Sequence, residues 1–404
     1  MIKNGRVIDP ASNRDQTGDL YIDNGVISEP FANGCDLTID ADGMWVAPGF
    51  IDLHTHMREP GFERKEDIAH GALAALAGGF TTVCCMPNTD PVADCAEIID
   101  FIKTKSSDAK GADVLPFACV TKGMRGMDLC DFGELAKAGA YGFSDDGKPV
   151  ANPALLLEAV RKTAVYERTV FSHCEDKDLG TDAISESVSV ARDLLLAKNA
   201  GARIHICHIS ASESAVQLRL AKSTGVKATG ETCPHYFALT RAAIPPEKEA
   251  SGNYKMNPPL RDPEDVRAIK DALADGTIDA IATDHAPHHA DEKNCGYEMA
   301  ANGVIGLETA LGVCVTQLVN TGVLTPSGLI AKLTVNPAKI LGINKGTLAC
   351  GADADVVIID PVSLYAVDSS KFFSKGRNTP FEGMILTGRV MKTIKGGVAA
   401  YEAH

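Results

Sequence analysis

Short apolar runs, separated by polar and glycine-marked stretches, recur along the chain at lengths that suit strands. In the middle segment they fall at 49–53, 81–86, 114–120, 140–144, 169–173, 203–208, 227–232 and 280–283. Between them lie longer stretches with helical spacing of apolar positions, at 65–77, 153–166, 185–199, 212–222 and 263–274. Strand and helix therefore alternate, and eight such units in roughly 290 residues match an α/β fold of the (β/α)8, or TIM barrel, type. A doubly wound open sheet is the alternative. The two ends differ from the middle: 2–8, 19–27 and 37–40 read as short strands, and 354–360, 384–391 and 393–398 read the same way. The division expected is a composite β-sandwich from 1–47 and 344–404, and a barrel over 48–343. No internal repeat interrupts it.

Polar residues gather where the middle strands end. His54 and His56, Asn88, Lys122, Asp145 and Asp146, His173, His208, His235 and Asp284 all stand at or just beyond a strand's C-terminal side. A barrel brings those ends to one face, which predicts a single site there. The stretch Asp52-Leu-His-Thr-His56 is its anchor. On a regular strand Asp52, His54 and His56 share a face, and two imidazoles about 7 Å apart along it can share a metal ion.

Charge and cysteine content narrow the setting. A net charge of −14 argues against nonspecific nucleic-acid binding. No apolar run reaches the roughly 18 residues of a membrane span, and Met1-Ile-Lys-Asn-Gly-Arg leads into a strand rather than a signal peptide, so a cytoplasmic protein with no membrane association is expected. Cys84, Cys85, Cys119, Cys174 and Cys207 lie in or beside apolar strands with no CxxC spacing, and read as buried, reduced thiols.

The histidines and carboxylates at the strand ends form a nitrogen and oxygen donor set without an obvious thiolate, which suits Zn2+ or a similar divalent ion. Asp52-Leu-His-Thr-His56 resembles the opening signature of the amidohydrolase superfamily. Together with Arg58-Glu-Pro-Gly61, Met86-Pro-Asn-Thr89, Phe143-Ser-Asp-Asp-Gly147, Asn257-Pro-Pro-Leu-Arg261 and Thr283-Asp-His-Ala-Pro-His288, it is similar to class I bacterial dihydroorotases over essentially the whole chain. The resemblance implies one or two zinc ions, with His54 and His56 on the more buried one, Asp146 bridging, and His173 and His208 on the second. It makes Asp284 both a ligand and the general acid/base. It places His56, Arg58, Asn88 and His288 at the substrate, with Arg58, Asn88 and His288 on its carboxylate, and Asn257, Asn302 and Gly303 along its pyrimidine ring. The reaction implied is the reversible cyclisation of N-carbamoyl-L-aspartate to L-dihydroorotate in pyrimidine synthesis. Partners implied are that small-molecule substrate, a second copy of the chain, and aspartate carbamoyltransferase. The rival readings are a cyclic amidase acting on dihydropyrimidine, hydantoin or allantoin, and a catalytically silent scaffold subunit.

Several polar residues have blander readings. Alternation permits either Asp145 or Asp146 to face inward, and the resemblance selects Asp146, leaving Asp145 as a turn or capping residue. His208 shares a face with Ile204 and Ile206, so His205 is expected to pack towards the helices. His235 reads as a supporting or core histidine, His285 and His289 as facing away, and His70 and His404 as structural or solvent-exposed. A lysine bridging the metals, as in relatives acting on hydantoins, would have to be Lys148, which lies beyond the strand end. The polar, glycine-punctuated segment 287–303 reads as a surface loop that covers the substrate; deleting 292–297 is expected to lower turnover more than folding.

Overall fold

Each apolar run of the middle segment holds a strand in the computed structural model, which describes residues 1–30, 34–247 and 251–403. The runs expected as separate strands at 384–391 and 393–398 fall largely in one strand, Ile385–Lys395. Five strands come first: β1 (Ile2–Asp9), β2 (Arg14–Asp23), β3 (Val26–Ser28), β4 (Ile39–Asp40) and β5 (Trp45–Pro48). Eight follow, β6 (Phe50–Thr55), β7 (Phe80–Cys85), β8 (Asp113–Ala118), β9 (Gly142–Phe143), β10 (Val170–Ser172), β11 (Ile204–Ile206), β12 (Ala228–Thr232) and β13 (Ala280–Ile281). The last are β14 (Val356–Ala366), β15 (Ile385–Lys395) and β16 (Val398–Glu402).

Strands β6 to β13 pair in sequence order, all parallel. The sheet closes where Thr55 bridges His285, and the His56 N–H donates to the His285 carbonyl at 2.8 Å. Helices such as Ile68–Ala77, Pro153–Ala164, Ala183–Ala200 and Ser212–Ser223 intervene between successive strands, giving a (β/α)8 barrel. Side chains fill its axis: Ile51, Leu53, Cys84, Met86, Phe117, Phe171, Cys207, Ala280 and Ala282 form one buried cluster. They come from strands on opposite sides, which meet only through the interior. Phe117 and Phe171 stack with centroids 4.4 Å apart, and cutting either to alanine would cost about 3–5 kcal/mol. The cysteines behave as expected: Cys84, Cys85, Cys119, Cys174 and Cys207 are buried and free.

Both chain ends build the second sheet, in the order β16-β15-β14-β5-β1-β2-β3, with β4 beside β1. The Ile27 N–H donates to Ala352 O at 2.8 Å and the Ala354 N–H to Gly25 O at 2.9 Å, so the sheet curls back on itself. Ile2, Val7, Leu20, Ile27, Val46, Val356, Ile358 and Ile394 are enclosed by it, the expected sandwich made from one folded-over sheet. Its start differs from expectation. The strand expected at 19–27 is a hairpin, β2 and β3, that turns at Asn24 (φ 49°) and Gly25 (φ 84°), and its first half begins at Arg14. Asn-Gly is a turn pair that tolerates left-handed backbone at both positions. Among the described residues no helix is long and apolar enough to cross a membrane. His404 lies outside the described residues.

Candidate metal centre and active site

The site's strand does not alternate regularly. Asp52 pairs with Val83 and Thr55 with Cys85, so Leu53 and His54 of β6 together oppose the single residue Cys84 of β7. Val83 and Cys85 pack among helix side chains, whereas Leu53 belongs to the axial cluster. This bulge turns both Leu53 and His54 inward and takes Asp52 off their face. Asp52 instead accepts from the Thr283 N–H at 3.1 Å and the Thr283 hydroxyl at 2.6 Å, clamping the first strand to the last. His56 lies just past the strand end and reaches the site from there.

The six histidine and carboxylate side chains singled out above converge. Asp146, after β9, has Oδ1 3.4 Å from His54 Nε2, 3.3 Å from His173 Nδ1 and 3.7 Å from His208 Nε2. Its Oδ2 lies 3.5 Å from His56 Nε2. Asp284 Oδ1 lies 3.1 Å from His56 Nε2 and 3.6 Å from His54 Nε2. His173 and His208 bring ring nitrogens to 2.8 Å of each other. All six are buried.

This cluster calls for positive charge. Burial would raise the Asp146 carboxyl, but the His54 charge and the nearby His173 and His208 rings hold it well below the usual range. Burial opposes protonation of His54, yet the Asp146 charge carries its pKa well above the ordinary value. His54 Nε2, Asp146 Oδ1 and His208 Nδ1 are buried without a hydrogen-bond partner. Two groups, His54 with His56 and Asp284, and His54 with Asp146 and His208, each offer ligand atoms within 4.8 Å of one another. Unpartnered nitrogen and oxygen donors at this spacing fit a divalent cation. Burial pushes the Cys207 thiol up to about 12, so it stays protonated beside them.

Three of the residues here have left-handed backbone without being glycine: Arg58 (φ 60°), His208 (φ 35°) and Asp284 (φ 47°). Such positions cost on the order of 1–3 kcal/mol each and persist where surrounding structure over-determines them. At His208 the kink explains how it enters the site even though Ile204 and Ile206 pack among the helices. The expectation for His205 was therefore wrong. His205 points into the barrel, 4.8 Å from the Phe171 ring and with Nε2 3.2 Å from Glu231 Oε2.

Glu231, on β12, is a residue that strand periodicity alone passed over. Its Oε1 accepts from His54 Nδ1 at 3.0 Å, which leaves His54 Nε2 as the nitrogen facing Asp146 and Asp284. Burial would raise this carboxyl, but His205 and His54 bring it down to about 2, so it is ionised. The available signal was an acidic residue in the middle of an otherwise uncharged strand. Asp145 also departs from expectation: it is buried and accepts from the backbone N–H groups of Val120 and Thr121 at 2.8 and 3.1 Å, tying β9 to the end of β8.

The other selected residues ring the mouth. Asn88 Oδ1 lies 3.0 Å from His56 Nδ1. Arg58 donates through Nε to Pro287 O at 3.1 Å and places Nη2 3.2 Å from His288 Nε2. Burial lowers its guanidinium to about 10 against the pull of Asp284 and Asp146. His288 Nε2 is 2.8 Å from Asn302 O, and Asn257 Nδ2 is 3.5 Å from His173 Nε2. Gly303 has its backbone engaged, its N–H on Lys255 O and its carbonyl on Asn378 Nδ2, both at 3.0 Å. His235 is buried against Tyr236, Lys122 and Lys148 are exposed, and none of the three enters the cluster. His285 approaches Glu66 at 3.7 Å, and His289 caps the short helix Ala290–Lys293.

Residues 45–400 match the sequence profile of the amidohydrolase family. The chain belongs to that family. This amidohydrolase is 46% identical to the dihydroorotase of Pelotomaculum thermopropionicum, over 98% of the chain and 97% of that relative. It is likewise 46% identical to the dihydroorotase of a Geobacter species, over 100% and 99%. Among solved structures, the amidohydrolase is similar to the L-hydantoinase (dihydropyrimidinase) of Arthrobacter aurescens, with a TM-score of 0.89 at 28% identity over 99% of this chain and 95% of that one.

Proposed function

We propose that this amidohydrolase is a dihydroorotase, interconverting N-carbamoyl-L-aspartate and L-dihydroorotate in pyrimidine synthesis. Full-length relatives named dihydroorotase at 43–46% identity support that reading. The observation that carries the substrate assignment is Arg58. Its guanidinium lies near the centre, with Nε committed to Pro287 O and Nη2 3.2 Å from His288 Nε2, whose N–H is on Asn302 O. The remaining N–H groups suit a carboxylate, which a planar guanidinium binds through paired, charge-assisted hydrogen bonds. Asn88 and His288 would share that carboxylate, and Asn257, Asn302 and Gly303 would line the ring.

His54, His56, Asp146, His173, His208 and Asp284 would hold one or two zinc ions. Zinc there would supply Lewis-acid polarisation of the scissile carbonyl and acidify a water. In the hydrolytic direction the water oxygen bonds to the ring carbonyl carbon and the C–N bond breaks. Asp284, held ionised by His56, would take a water proton and pass it to the departing nitrogen. Glu231 would keep His54 in the tautomer that presents Nε2.

The hydantoinase-like fold favours a second reading, a cyclic amidase for rings without a carboxylate. Against it stand Arg58 and the carboxylate of Asp146 at the bridging position, with Lys148 exposed. Loading the protein with zinc and comparing hydrolysis of dihydroorotate, dihydrouracil, hydantoin and allantoin tests the choice. Preference for a ring lacking the carboxylate would overturn it. We further propose a cytoplasmic homodimer that can associate with aspartate carbamoyltransferase. Ile184, Val188 and Leu195 on one helix and Val216 and Leu220 on the next are exposed apolar residues that support an interface there.

A further inference from the structure

The segment 287–303 contains a charged side chain that the chemistry above does not use. Lys293 ends the helix Ala290–Lys293 and is only 1% exposed. Its Nζ donates to three backbone carbonyls, Ala301 at 2.7 Å, Gly303 at 2.8 Å and Lys255 at 3.1 Å. No carboxylate lies in ion-pair range of it among the described residues. Burial, with the charges of Lys255 and Arg58, pushes its ammonium down to about 7 against the opposing pull of Cys295 and Glu292.

The placement of those carbonyls is informative. Ala301 and Gly303 flank Asn302, and Lys255 stands two residues before Asn257. The two chain segments also touch directly: the Gly303 N–H donates to Lys255 O at 3.0 Å. Gly252 passes so close that a Cβ on it would stand 1.9 Å from Lys293 O. The Asn302 carbonyl, between the two that Lys293 holds, contacts His288 Nε2 at 2.8 Å, beside Arg58. The three lysine donors meet three backbone acceptors: Gly303 O also takes Asn378 Nδ2 and Lys255 O the Gly303 N–H, while Ala301 O takes its donor from Lys293.

We infer that Lys293 is the positioning residue of the substrate pocket: one buried ammonium fastens the segment bearing Asn257 to the segment bearing Asn302, and through the Asn302 carbonyl sets the His288 ring next to Arg58. The inference rests on the reading of Asn257, Asn302 and His288 as substrate contacts. It also revises the expectation for this segment, because removing 292–297 takes the fastener with it and would damage folding as much as turnover.

The test is K293M in the zinc-loaded enzyme. Calorimetric titration gives the Kd of orotate, a carboxylated pyrimidine, and steady-state assays give KM and kcat for dihydroorotate. Kd and KM are expected to rise about tenfold or more, the equivalent of about 1.4 kcal/mol, with bound zinc unchanged and kcat altered far less. K293Q, which keeps two N–H donors, should fall between wild type and K293M. A folded K293M with Kd and KM at wild-type values would overturn the inference; if K293M does not fold, wild-type values in K293Q would do the same. Should the wild type itself ignore dihydroorotate, the substrate reading fails instead. The fastening is then judged by limited proteolysis, where cleavage within 287–303 no faster in K293Q than in wild type would overturn it.

Discussion

Replacing Arg58 by methionine separates a carboxylate-reading enzyme from a general cyclic amidase. Methionine approximates the length of the arginine stem and faces the same left-handed backbone as the wild-type residue (φ 60°), so the strain at this position is carried over. What is lost is the guanidinium. Nε is engaged by Pro287 O, and His288 Nε2 spends its N–H on Asn302 O and cannot accept from the guanidinium, which leaves the Nη1 and Nη2 N–H groups for substrate. Two hydrogen bonds to a charged group, at about 1.5 kcal/mol each on the low side, come to about 3 kcal/mol, or about 150-fold in kcat/KM. The loss should appear mainly in KM for dihydroorotate. Dihydrouracil, which has no carboxylate, should lose little, so the ratio of the two specificity constants is the quantity to measure. A parallel fall for both substrates, or an unchanged KM for dihydroorotate, would refute the assignment of Arg58 and with it the argument for the substrate.

Asp284→Asn should abolish turnover while zinc content holds within a small factor; measurable dihydroorotate hydrolysis would remove Asp284 from proton transfer. Glu231→Leu should weaken zinc by about 10–100-fold, read by competition with a chromogenic chelator, because His54 loses the partner that fixes its tautomer. Unchanged affinity would leave Glu231 as packing only. Proton competition gives a further expectation. Burial opposes charge on His173, but Asp146 and Glu175 carry its pKa up to about 9 in the absence of metal. Below that pH a proton occupies the ring and a metal ion must displace it, so zinc affinity should climb as pH rises from 6.5 towards 9. A flat profile would argue that His173 is not a ligand.

Much of the barrel could be read from the chain because buried parallel strands are continuous apolar runs, and each here was bounded by turns or polar clusters. The clustering of donors at strand ends was legible for the same reason: the topology forces those ends together. What failed was side-chain direction. Alternation assumes regular strands, and β6 carries a bulge between Asp52 and Thr55 while His208 takes a positive φ, so the faces assigned to Asp52 and His205 were inverted. Glu231 and Lys293 escaped for another reason. A lone charge within a strand or a polar loop reads as solvated unless one knows which buried nitrogen or carbonyl waits for it. The hairpin at Asn24-Gly25 was visible in principle, since that pair marks a tight turn, but the apolar residues on either side were joined across it.

The folded-over sheet has a consequence for how the protein is made. Strand β5 lies between β1 and β14, so one edge of the N-terminal strands stays unpaired until residues 356–366 have been synthesised. On a ribosome adding about 5–20 residues each second, that edge is open for roughly 15–60 s. Throughout this interval the nascent chain presents a hydrogen-bonding template of the kind that recruits other strands. Slowed elongation or truncation before β14 should therefore lead to aggregation rather than to a soluble, partly folded barrel.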